Sequence, residues 1–190
     1  MPDNPLILTA NPFGHIVLEG GTVYDKYTTG NPVVTELVLS HLEGSNIYGD
    51  FAVPVDTRTL LSAVWQGTLI TAPAAGKPVL LAVYDGDTHG TFATGNPELL
   101  FYEIGKEGLG FDEITSDDAP GVIAKPLTGD ALDFLRTALT TGMTVVFGGY
   151  AIQACPISKT ELSRAAGFTL TLTFDTPEPR NVYRRRMLEG

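Results

Sequence analysis

Phe168-Thr169-Leu170-Thr171-Leu172-Thr173-Phe174 alternates bulky apolar side chains with threonine without a break. Successive side chains of an extended chain point to opposite faces. The stretch therefore predicts a half-buried strand, with Phe168, Leu170, Leu172 and Phe174 in a core and the threonines on the other face. Thr144 to Phe147 predicts a second strand, and Val33 to Leu39, launched by Gly30-Asn31-Pro32, a third. Ile16 to Leu18 and Thr22 to Tyr24 flank Glu19-Gly20-Gly21, the pattern of a tight hairpin. Phe51, Val53 and Val55 alternate with other residues in one more strand-like run. Thr68 to Thr71 and Val79 to Tyr84 read as strands paired across the loop from Pro73 to Pro78, and Leu99 to Ile104 as a further strand.

Helical spacing occurs twice. Leu60, Leu61, Val64 and Trp65 fit one face of a short helix between Asp56 and Gly67. Asp130 to Thr141 predicts the clearest helix: Leu132, Leu135 and Leu139 share a face, acids favour its start, and Gly142 stops it. Residues 105–121 are rich in Gly and acids and read as a long exposed loop. Many short strands with frequent turns and one clear amphipathic helix predict a mainly β chain, a β-sandwich of jelly-roll type. At 190 residues it fits one domain. The expected division is an extended N-terminal arm over 1–14, a sandwich over 15–179 and a basic C-terminal tail over 180–190. The arm contains three prolines around Leu6-Ile7-Leu8, so it reads as an arm or an edge strand. Val23-Tyr24-Asp25 and Val83-Tyr84-Asp85 each precede a Thr-Gly-Asn-Pro (29–32 and 94–97), a repeat read mainly as reuse of good turn chemistry.

The chain is 43% hydrophobic and 18% charged, enough apolar material for a core. No apolar stretch is long enough for a membrane helix, and Met1 to Pro5 lacks the basic region of a secretory signal. Synthesis in a cytoplasm and no membrane partner are expected. The net charge of −10 argues against direct nucleic-acid binding. That charge is uneven: residues 1–179 hold 8 Lys/Arg against 21 Asp/Glu, whereas Arg180, Arg184, Arg185 and Arg186 stand against Glu189 alone in 180–190. The lone Cys155 excludes an intrachain disulfide and reads as a buried structural residue.

Candidate chemistry is sparse. Asp85-Gly86-Asp87-Thr88-His89-Gly90 has the alternating ligands that open a calcium loop, with Asp85, Asp87 and His89 as candidates. Asn96 stands where the bidentate Glu belongs, so a hairpin tip is the better reading. Asp112, Glu113, Asp117 and Asp118 form a second acidic cluster, read as a solvated loop or as a surface for an arginine-rich partner. His15, His41 and His89 are scattered, Ser45 lies in a predicted turn, and no nucleophile elbow or phosphate loop is present. No cofactor is implied. Tyr24, Tyr27, Tyr48, Tyr84, Phe92 and Tyr102 could offer a platform for sugar.

The order of elements from Leu69 to Tyr84, the helix Ala131 to Leu139 with Gly142, Val145 to Ile152 and Phe168 to Phe174 resembles jelly-roll modules of surface and virion proteins. Those modules are similar to carbohydrate-binding domains. A compact β domain with a Pro-rich arm and an Arg-rich tail also resembles accessory proteins of tailed-phage particles, the capsid decoration or cement proteins and tail components. These resemblances imply a non-enzymatic structural protein of the virion whose partners are other subunits of the particle. They imply assembly contacts at Leu6, Ile7 and Leu8, at Arg180, Arg184, Arg185 and Arg186, and at Asp112, Asp117 and Asp118 of a neighbour. The alternatives are a carbohydrate-binding or adhesion module, with a glycan as partner, and a small hydrolase without a recognisable motif.

Overall fold

The computed structural model describes residues 4–29, 33–37, 44–151 and 159–175. Over these described residues the chain is mainly β, a sandwich-like fold of antiparallel strands with three short helices. One layer holds β1 (Leu6–Thr9), β12 (Thr169–Phe174), β6 (Leu60–Thr71) and β9 (Gly121–Pro126), paired in that order. The other holds β3 (Val23–Tyr27), β2 (Phe13–Glu19), β5 (Gly44–Ala52), β10 (Thr144–Ala151), β7 (Val79–Asp85) and β8 (Leu109–Ile114). The pair β4 (Val33–Leu37) and β11 (Lys159–Leu162) carries hydrogen bonding from β5 round to β6, so the network curls from one layer into the other.

The decisive alternation holds. Leu170, Leu172 and Phe174 are buried, while Thr169, Thr171 and Thr173 are not. They meet Trp65, Leu69, Ile47, Phe51 and Phe147 from both layers in the main core. Helix α3 (Gly129–Thr141) closes one side of that core with Ala131, Leu135 and Ala138. Its end is where the sequence places it: Gly142 has φ +69°, and its N–H reaches the Ala138 carbonyl. The β2–β3 hairpin also forms, with Gly20 and Gly21 at φ +59° and +73°, the pair of positive angles a tight hairpin turn needs.

Several expectations are corrected. Residues 60–71 form strand β6, not a short helix. A register shift places Leu61 as an extra residue opposite the Phe174 end of β12, and from Ala63 onward burial has a period of two through Trp65, Gly67 and Leu69. The adjacent pair Leu60-Leu61 therefore imitates a helical face. Thr68 to Thr71 and Val79 to Tyr84 are both strands, but they pair with other strands and not with each other. Leu99 to Ile104 lies in helix α2 (Pro97–Lys106). Asn96 caps it by accepting from the N–H groups of Glu98 and Leu99, and Pro97 occupies its first turn. Gly-Asn-Pro at 95–97 thus launches a helix where a strand is expected. Strand β8 lies within the predicted 105–121 loop, and Ser45 is in β5, not in a turn. The arm, over the described residues 4–14, contains strand β1 on the edge of β12, with Leu6 and Leu8 against the core.

Candidate functional site

Strand β1 runs antiparallel to β12, so the start of one lies beside the end of the other. Asn4 secures this junction twice: its Nδ2 donates to the Phe174 carbonyl at 2.9 Å, and its Oδ1 accepts from the Phe174 N–H at 3.0 Å. The Asp175 N–H continues the ladder to the Thr59 carbonyl. Beside it the Arg58 guanidinium lies 4.0 Å from the Phe174 ring centroid and pairs with Asp56 at 2.6 Å. Asn4 and Asp175, the first and last of the described residues, therefore lie close together at one end of the β1–β12 pair.

Of the sequence-predicted contact residues, Leu6 and Leu8 face inward and Ile7 faces outward at 60% exposure. Asp118 already has a partner. Lys125 Nζ lies 2.8 and 2.9 Å from its two oxygens, and the Thr115 N–H donates to it at 2.8 Å. Burial acts against ionisation there, but these donors outweigh it and hold the Asp118 carboxyl below its usual range. Asp112 caps the adjacent Glu113 N–H, and Asp117 is exposed. Arg180, Arg184, Arg185, Arg186, Cys155 and His41 lie outside the described residues.

The proposed calcium ligands do a local job. Asp85 caps α1 (Gly86–His89) by accepting from the Asp87 and Thr88 N–H groups and the Thr88 hydroxyl. His89 turns to Glu103 of α2 at 3.3 Å. Among the described residues no three His, Cys, Asp or Glu side chains gather as a metal site.

Sequence reasoning missed the polar row on the outer face of β5. Asn46, Tyr48 and Asp50 alternate with the core residues Ile47 and Phe51, and α2 with its preceding loop covers them. Asn46 Nδ2 donates to the Phe101 carbonyl at 2.9 Å, and the Tyr48 hydroxyl donates to the Leu100 carbonyl at 2.7 Å. The Asp50 carboxylate accepts the Phe92 and Ala93 N–H groups, each at 2.8 Å. Lys26 binds the Phe92 carbonyl at 2.8 Å and also reaches the Gly95 carbonyl. Burial raises the Asp50 pKa against the opposing pull of those N–H groups and Lys26. The signal was present as three polar residues at every second position of a buried strand.

The aromatic candidates separate by this cover. Tyr48, Tyr84 and Phe92 are buried under it. Tyr27 stacks on His15 with ring centroids 5.1 Å apart. Tyr24 and Tyr102 share a 2.7 Å hydroxyl contact at the surface, and burial together with Tyr102 pushes the Tyr24 phenol up to about 12. Beside them a groove of about 470 Å³ runs between α2 and β10, lined by Leu18, Asn46, Phe101, Tyr102 and Tyr150 among others. Compared with known proteins, the sequence matches no family model and no curated protein.

Proposed function

We propose that this chain is a structural subunit of a tailed-phage-like virion, a capsid decoration or cement protein or a tail component, and that it has no catalytic role. It binds neighbouring subunits through the segments before Asn4 and after Asp175. The observation that carries the reading is the reciprocal pair of hydrogen bonds between Asn4 and Phe174. That pair gives the residues before Asn4 and the arginine-rich residues after Asp175 a common base, from which both can engage one neighbour. Two weak contacts on a common base reinforce each other, because the second forms at high effective concentration. The partner chemistry is acidic protein surface, met by Arg180, Arg184, Arg185 and Arg186. Asp112 and Asp117 of a neighbouring copy are available for this, whereas Asp118 is bound to Lys125.

Sedimentation velocity on the full chain and on R184A/R185A/R186A tests the reading. The unmodified chain should self-associate, and less so as salt rises, since exposed charge pairs are screened over about 8–10 Å near physiological ionic strength. The triple variant should remain folded and shift to monomer. A monomeric unmodified chain, or association indifferent to the three arginines, would reject it.

A second reading, sugar binding, rests on the groove beside Tyr24 and Tyr102, where aromatic rings and the Asn46 amide line one cleft. A glycan-array signal that Tyr102→Ala removes would favour it. No signal on the array would leave it without support.

A further inference from the structure

The solvent face of the β1-β12-β6-β9 layer carries no charged side chain at its paired outward positions. One row across the four strands reads Ile7, Thr171, Val64 and Pro126. The next reads Thr9, Thr169, Gln66 and Ala124. Beyond them Thr173 pairs with Ser62, and Thr68 with Val122. These side chains are exposed or half-buried, Val122 at 73% and Ile7 at 60%. Across the face, the Thr169 hydroxyl approaches the Gln66 carbonyl oxygen at 3.4 Å, and a shallow groove of about 230 Å³ lies between Gln66, Thr68, Val122 and Thr169.

Such a face is out of character for this molecule, whose residues 1–179 carry 21 acids against 8 bases. Two copies approaching by an acidic surface repel each other. This face brings no like charges of its own into contact, and it is a patch of methyl groups, hydroxyls and the Gln66 amide. A threonine hydroxyl both donates and accepts, so a threonine-and-valine face is complementary to itself, as a two-fold contact between like chains requires. We infer that this layer is a docking surface for the same layer of a second copy of the chain, an inference that rests on the structural-subunit reading above. Four strands about 4.8 Å apart and some six residues about 3.4 Å apart give roughly 400 Å² of face. A standard stable interface takes about 800 Å² from each partner. The face therefore makes a weak contact that acts together with the terminal segments.

The test is sedimentation velocity over a concentration series on the full chain and on Thr171→Glu, Thr171→Lys and their equimolar mixture. Self-association of the unmodified chain should weaken by about tenfold or more in either variant alone, through like charges brought face to face, and return in the mixture. Melting temperatures check folding; if Thr171→Glu melts early, Ala124→Glu and Ala124→Lys on edge strand β9 take its place. If the unmodified chain associates, loses association in R184A/R185A/R186A but keeps it in Thr171→Glu, the docking face is refuted and the terminal contact survives. If association depends on Thr171 and not on the arginines, the face stands and the terminal contact fails. A chain monomeric throughout overturns both.

Discussion

His15 shows how one half-buried side chain links fold to solution behaviour. It sits on β2, stacked on Tyr27, with its Nδ1 buried and unpartnered. Burial, and then the nearby Arg164 charge, lower its pKa from 6.5 to about 4. Because the unfolded chain takes up this proton near pH 6.5 and the folded chain only near 4, His15 costs stability progressively as pH falls through that window and costs nothing above it. His15→Phe keeps the stack and removes the titration, so its urea midpoint should fall less than that of the unmodified chain between about pH 7 and about pH 4.5. An equal fall in both would exclude His15 as a source of acid sensitivity. Asp50 differs in being partnered: its carboxylate accepts two backbone N–H groups. Asp50→Asn would aim an amide N–H₂ at one of those donors and should cost about 1–3 kcal/mol, read as a lower melting temperature. An unchanged melting temperature would mean that the loop over β5 does not depend on that clamp.

The element scale separates signals that are local from those that are not. The α3 helix was legible because its period, its early acids and Gly142 all agree. Gly142→Ala should cost about 1–2 kcal/mol in urea unfolding, since φ is +69° and the added Cβ would meet Val55 Cγ2 at 2.7 Å. Loss of less than that would imply that the turn rearranges freely. The α2 helix was not legible as one, because Leu99 to Ile104 is an apolar run that suits a strand equally. Its start was written in Asn96-Pro97, and Asn96→Ala should cost about 1 kcal/mol through the lost cap, read in the same urea titration. Strand β6 misled for a different reason. A bulge puts Leu60 and Leu61 side by side, and a bulge is set by the partner strand, not by the residues that contain it.

At the scale of the molecule, the first strand is part of the body. Chains lacking residues 1–10 would lose both Asn4 bonds and the β1 ladder, leaving the β12 edge open. Open apolar edges pair indiscriminately, so such a chain should melt earlier and scatter light on heating. If it melts like the intact protein, β1 is dispensable and the arm reading regains ground. The same fact explains why point substitutions in the tail probe assembly better than trimming both ends. Among assembly candidates, the acidic loop was visible as composition, but that Lys125 occupies Asp118 was not, since the two meet only when β8 and β9 fold back on their turn.

Properties that depend on near neighbours along the chain were readable from the sequence alone: the sandwich class, the Phe168 to Phe174 strand, the β2–β3 hairpin, α3 and the acidic body with its basic tail. Alternation, turn chemistry and helix capping act over a few residues, so they are encoded where they operate. Pairing partners, the polar row of β5 beneath α2, the junction of Asn4 with Phe174 and the uncharged face of four strands join residues far apart in sequence. Many pairings satisfy the same local pattern. Only packing two layers round a common core, with backbone donors placed against acceptors, selects among them.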